Sequence, residues 1–355
     1  MLTPRFTFTG TALLVFVLGG AMSPASAQTT PSTASTFIAR WLDVQAATVA
    51  LRHRHSTNSA GVVTANQLQH RETLRGRLKF DTRGRYALAF GLSTGARFTS
   101  GWDNTGWGLG AAQKSLAVRT LSVAARPVEG IDAEAGGLSI ARGESTEITT
   151  YDEDGYVTGE RVRIRRPAQL FFDEISAINA HFTASAESIP ISKRLPHIDE
   201  SNYQQFLLEK RIGRCAAVSG DYTIETGRRT WREAVHLDVR EVRVVDSVTL
   251  ENYQRTNADA ASGFAVTVDK ALGKRLNVNG GYARIDPAFG GLNGDRFNTG
   301  RRVFGMATYA LSRELAAAIY MTTPVGRHDV LPQQRLSNLS MTYNVLPALR
   351  RAGLP

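Results

Sequence analysis

A chain of 355 residues with a net charge of +10 and one cysteine is long enough for two ordinary domains or one large barrel. Cys215 alone excludes an internal disulfide and argues against a cysteine-based metal cage. The basic residues are spread through many short segments, not gathered in one tail or helix face, which disfavours nucleic acid and leaves anionic solutes or membrane phosphates as partners.

At the N-terminus, Arg5, the apolar run Thr11–Leu18 and the small residues Ala25-Ser26-Ala27 make a secretory signal cleaved before Gln28, so residues 1–27 are set aside from the fold. The apolar run is shorter than the ~20 residues of a spanning helix. Residues 28–36, QTTPSTAST, read as a flexible polar N-terminus. No later segment approaches the ~18 consecutive apolar residues of a transmembrane helix.

From there, alternation with a period of two dominates. Between Gln67 and Phe80, Leu68, Leu74, Leu78 and Phe80 fall on one face, and Gln67, Gln69, Arg71, Thr73, Arg75, Arg77 and Lys79 on the other. The short turn Asp81–Arg85 leads into YALAFGLSTGAR, where Tyr86, Leu88, Phe90 and Leu92 alternate with Ala87, Ala89, Gly91, Ser93, Gly95 and Arg97. The same pattern holds for Phe264, Val266 and Val268, for Leu276, Val278 and Tyr282, and for Leu339, Met341, Tyr343 and Val345. Period two is the side-chain repeat of a strand, so the chain reads as successive hairpins.

About 16 strands are expected, with 14 or 18 as alternatives. They fall at 38–55, 66–80, 85–99, 114–126, 131–140, 157–166, 168–181, 203–212, 215–225, 230–244, 247–257, 262–271, 274–285, 300–312, 314–322 and 335–345. Short turns around 81–85, 127–130, 166–167, 213, 272–274 and 312–313 alternate with longer polar loops at 56–66, 99–113, 141–157, 184–202, 286–300 and 323–334. Short turns at one end and long loops at the other describe an up-and-down transmembrane barrel over 37–345, with a tail at 346–355. The non-apolar face is made of Ala, Gly and Ser punctuated by Arg, Asn and Gln, which suits a crowded aqueous lumen, while Leu, Phe, Tyr and Val suit lipid.

With signal peptide, length, hairpin rhythm and lumen chemistry together, the chain resembles a Gram-negative bacterial outer-membrane β-barrel of the porin type. The resemblance implies an all-β, closed antiparallel barrel in the outer membrane, in contact with lipid and lipopolysaccharide, and often a homotrimer. One departure is the C-terminal LPALRRAGLP, where such barrels often end on an aromatic residue.

Strand parity places Arg71, Arg75, Arg77, Lys79, Arg97, Arg161, Arg163, Arg165 and Arg275 on the lumen face, a lining that favours anions. The bland reading is that some of these arginines pair with lumen carboxylates and stiffen the wall. RGESTEITTYDEDG carries Glu144, Glu147, Asp152, Glu153 and Asp154. It lies between the fifth and sixth strands, where sixteen-stranded porins as a family fold a loop inward. Set opposite Arg161, Arg163 and Arg165, these acids would make a transverse field at a constriction; otherwise they form an exposed acidic loop.

No metal or cofactor is expected: Asp152-Glu153-Asp154-Gly155 lacks the rest of a calcium loop, and Gln113 breaks the phosphate-loop pattern before Lys114. Nor is an enzyme expected. The seven histidines form no His-Glu-x-x-His pair and accompany no nucleophile elbow, although His236 shares a face with Arg232, Asp238 and Arg240. The function expected is passive diffusion of small polar, anionic solutes; the alternative is a non-conducting barrel acting in surface binding, adhesion or complex formation.

Overall fold

The computed structural model describes residues 40–351 except 99, 147, 152–154, 166–167, 184–188, 243, 258–259, 290–296, 298 and 327–333. The expected signal peptide and N-terminal linker, Glu147 and Asp152 to Asp154 therefore lie outside the described residues.

Antiparallel strands follow one another around a single closed sheet. They are β1 (Leu42–Thr57), β2 (Val63–Lys79), β3 (Tyr86–Ser93), β4 (Asp103–Gly108), β5 (Ala117–Val128), β6 (Ile131–Ser139), β7 (Tyr156–Ile164), β8 (Glu174–His181) and β9 (Tyr203–Ile212). The second half comprises β10 (Ala216–Glu225), β11 (Arg228–Asp238), β12 (Ser247–Arg255), β13 (Ser262–Leu272), β14 (Leu276–Ile285), β15 (Gly300–Ala310), β16 (Leu315–Pro324) and β17 (Arg335–Asn344). The barrel closes where β17 pairs with β1, from Thr48 opposite Asn344 to Thr57 opposite Arg335.

Seventeen strand segments make a sixteen-strand wall because β3 and β4 share one place. β3 pairs with the lower part of β2, from Lys79 opposite Ala87 to Thr73 opposite Ser93. β4 then pairs with the upper part of the same strand, running the same way, with His70 opposite Asp103 and Gln67 opposite Gly108. Between them the chain leaves the wall at Thr94. The strand expected over 85–99 thus stops at Ser93, and Arg97 stands in the excursion, not in a strand.

The two faces are those the alternation implies. Val49, Leu51, Leu78, Val162, Leu250, Phe264, Val303, Leu339 and Met341 are exposed and share the outer face, whereas their neighbours Ala50, Arg161, Glu251, Ala265 and Arg302 are buried. Leu51 alone leaves 48% of its surface open. At roughly 25 cal/mol per Å2, a ring of such side chains would be costly in water and costs nothing against lipid.

The turns explain where strands end. In the β2–β3 turn the Asp81 carboxylate accepts backbone N–H bonds from Arg83 at 3.1 Å and Tyr86 at 2.9 Å. Those bonds, chiefly the one from Tyr86, hold the Asp81 carboxyl below its usual range. At the loop end β10 and β11 meet in a two-residue turn, Thr226-Gly227, with φ of 47° and 84°, so not every connection at that end is long. The strand expected over 230–244 ends at Asp238 and the one expected from 168 begins at Glu174. The C-terminal tail is helical over Leu346–Arg351 and is tied back by Arg351 to Glu314 at 3.2 Å.

A strapped, arginine-lined lumen

Register places the basic run of β2 on the inner face. Arg75 lies opposite Gly91, Arg77 opposite Ala89 and Lys79 opposite Ala87, while Arg71 lies opposite Ala50 of β1. Among the residues in register with these four, Asp43, opposite Arg77, is the acidic one.

The β7 stripe has a different setting. Arg161 pairs with Glu134, Arg163 with Glu174 at 3.0 Å, and Arg165 with Glu174 at 2.7 Å and Asp132 at 3.4 Å. Arg161 also donates to the Ser139 carbonyl at 3.0 Å. These arginines meet carboxylates of β6 and β8 in the wall, and their charge is largely matched there. Arg165 stands just past the end of β7 and Arg275 just before β14, both at the short-turn mouth.

The connection between β6 and β7 folds inward, where Glu144, Thr146, Thr149 and Tyr151 reach β10, β11 and β12, three to five strands along the wall from β7. The Glu144 N–H donates to Ser219 Oγ of β10 at 2.9 Å. Thr146 and Thr149 hydroxyls each donate to one oxygen of the buried Glu251 carboxylate on β12. Arg232 of β11, itself paired with Asp221 at 3.0 Å, donates to the Thr149 carbonyl at 2.9 Å. The Tyr151 hydroxyl donates to Glu225 at 3.1 Å, and burial, reinforced by that carboxylate, pushes its phenol well above the ordinary range, so it remains a donor.

This strap runs between two apolar clusters. On one side Phe98, Tyr156, Phe182 and Tyr203 gather with Tyr151 packed against them; Phe98 and Tyr156 meet edge-on at 4.8 Å. On the other, Ile148 joins Tyr253, Phe289, Phe297, Phe304, Tyr320 and Leu336. Below the second cluster, towards the short turns, the inner-face side chains Asn277, Met306 and Thr342 are open to solvent. A cavity of about 240 Å3 lies beside the basic run, lined by Thr73, Arg75, Ser93, Arg119, Thr120 and Arg142 among others.

Buried arginines that parity alone did not single out hold the loops in place. Arg119 donates to the carbonyls of Gly95 and Arg97 at 2.7 Å and of Ser100 at 3.0 Å, which fixes the excursion between β3 and β4. Arg52 lies 4.2 Å from the Trp102 ring. Arg255 donates to the Ala288 carbonyl at 3.1 Å and Arg302 to that of Gln334. The guanidinium fork is suited to such work, since its donors stay charged and preset. His236 Nδ1 lies 3.0 Å from Thr249 Oγ1, and Asp238 pairs with Arg240 at 3.1 Å at the turn.

No family model matches the sequence, and no curated protein sequence matches it. Solved structures do resemble the fold. A mutant of the Rh. blastica porin superposes with a TM-score of 0.55 at 9% identity, covering 85% of this chain and 99% of the porin. Salmonella typhi OmpF in complex with daunomycin gives a TM-score of 0.55 at 12% identity over 85% of this chain and 97% of OmpF. The fold is that of the porin-type outer-membrane barrel.

Proposed function

We propose that the protein is a passive diffusion channel of a Gram-negative outer membrane that admits small polar solutes and favours anions. The observation that carries this reading is the inner wall: Arg71, Arg75, Arg77 and Lys79 run down β2 beside a polar cavity, with Asp43 the acidic residue in register with them. Cations held on an enclosed wall attract anions and repel cations. The strap from Glu144 to Tyr151 serves as the constriction, and the passage lies between it and β2. Arg161, Arg163 and Arg165, matched by Glu134, Glu174 and Asp132, stiffen the wall more than they select.

The reading includes export by a cleaved signal at 1–27, a linker at 28–36, contact with outer-membrane lipid and lipopolysaccharide, and assembly as a homotrimer. It assigns transport without catalysis. A second reading, a closed barrel acting in surface binding, adhesion or a complex, is favoured by the two apolar clusters that flank the strap. Liposome swelling separates the two: small dicarboxylates should enter faster than neutral sugars of equal size. Equal rates would remove the anion preference, and no swelling from correctly inserted protein would favour the closed barrel.

A further inference from the structure

Residues 189–202 of the connection between β8 and β9 pack against β5, β6 and β7 near the loop end of the wall. Gly137 shares the outer face with Ala135, the partner of exposed Val123, and a Cβ there would come within 2.7 Å of Ile191 Cδ1. Arg194 donates to the carbonyls of Val118 and Arg119, each at 2.9 Å, and stacks 3.9 Å above the Tyr156 ring. Burial pulls its guanidinium down to about 10, still high enough to keep it charged at neutral pH.

Where this segment returns to β9, it brings His197 and Glu200 to the end of β8, beside His181. The imidazoles of His181 and His197 stack at 5.0 Å with 21° between their planes. His197 Nδ1 is 2.7 Å from one oxygen of Glu200, and His181 Nδ1 is 3.1 Å from the other. The second contact is not aligned as a hydrogen bond, which leaves the buried His181 Nδ1 unsatisfied despite its proximity to a carboxylate. Ligand atoms from all three residues lie within 4.8 Å of one another.

We propose that His181, His197 and Glu200 form a binding site for a divalent transition cation of the zinc class, which clips the β8–β9 segment onto the wall. Two neutral imidazoles and one carboxylate are a donor set suited to such ions. Two metal bonds of about 2.0–2.1 Å at a tetrahedral angle set ligand atoms roughly 3.4 Å apart. The 2.7 Å contact must open by about 0.7 Å and the widest separation, up to 4.8 Å, close by about 1.4 Å, moves of the order of a side-chain adjustment that the half-exposed His197 and Glu200 can make. Their exposure also leaves a coordination position for water. The sequence expectation of no metal, drawn from the incomplete calcium loop at 152–155, does not reach this cluster, because His181 and His197 lie on different elements and no spacing motif joins them.

The test is calorimetric titration of the folded full chain in detergent with zinc chloride. One saturable site in the micromolar range is expected, weakened roughly tenfold or more by His181→Ala and by His197→Ala, and unchanged by His55→Ala. Zinc should also protect the 189–202 segment from protease in the parent chain and not in Glu200→Ala, a loop variant that leaves the wall untouched. Absence of saturable binding, or binding that survives both histidine substitutions, would overturn the site. Neither result depends on whether the barrel conducts.

Discussion

At the scale of single residues, the clearest stakes lie in buried charge. Arg232 sits between Asp221 and the Thr149 carbonyl, with Asp221 also accepting from Thr223 at 2.7 Å. Removing the guanidinium leaves a buried carboxylate without its cation, so Arg232→Ala should lower the urea-unfolding free energy in lipid vesicles by about 3–5 kcal/mol. Adding Asp221→Asn should recover part of that loss; a cost below about 1 kcal/mol for the single change would show that the pair is not held in the folded wall. Thr226 poses the opposite case, because its φ of 47° strains a branched side chain. Thr226→Asn should stabilise the barrel by about 1 kcal/mol, read from the same unfolding curve. Asp246, outside the membrane, accepts from Lys270 at 2.9 Å and from the Ala271 N–H at 2.7 Å, and these bonds hold its carboxyl below the usual range. Its stabilising contribution is present above the unfolded carboxyl value and lost as pH falls through the lower folded value. Acid unfolding of Asp246→Asn should therefore show a shallower pH dependence than the parent below about pH 4.

Elements show how far alternation carries and where it stops. The segment expected over 203–212 is β9 to the residue, ending where Gly213 takes a φ of 63°, and those expected at 131–140 and 335–345 overshoot their strands by one. The expected strand over 85–99 failed at Thr94. Its Ser, Thr and Gly residues keep the parity, but the chain is drawn off the wall by carbonyl bonds to Arg119, twenty or more residues away. The strap behaves similarly: its acidic residues were legible, yet the contacts that place it come from Thr146, Thr149 and the backbone. Hydroxyls and carbonyls carry no spacing signature, and their partner Glu251 lies about a hundred residues on. Glu251→Ala removes both hydroxyl anchors. It should enlarge and destabilise single-channel steps and admit protease into the 141–151 segment; unchanged conductance and resistance would mean the strap is held without β12.

For the whole molecule, the sequence conveyed a closed barrel with lipid outside and charge inside, and the structure adds an uneven distribution of that charge. The cations of β7 pair with carboxylates of β6 and β8, the run on β2 lies beside a polar cavity with Asp43 in register with it, and two apolar clusters flank the strap. On the proposed reading solutes pass along β2, so neutralising Arg75, Arg77 and Lys79 should reduce anion preference more than neutralising Arg161, Arg163 and Arg165. Planar-bilayer recording of the refolded protein, with reversal potential in a potassium chloride gradient, tests the central claim most directly. Discrete open steps with chloride preference are the predicted result. A correctly inserted barrel that stays electrically silent would contradict it.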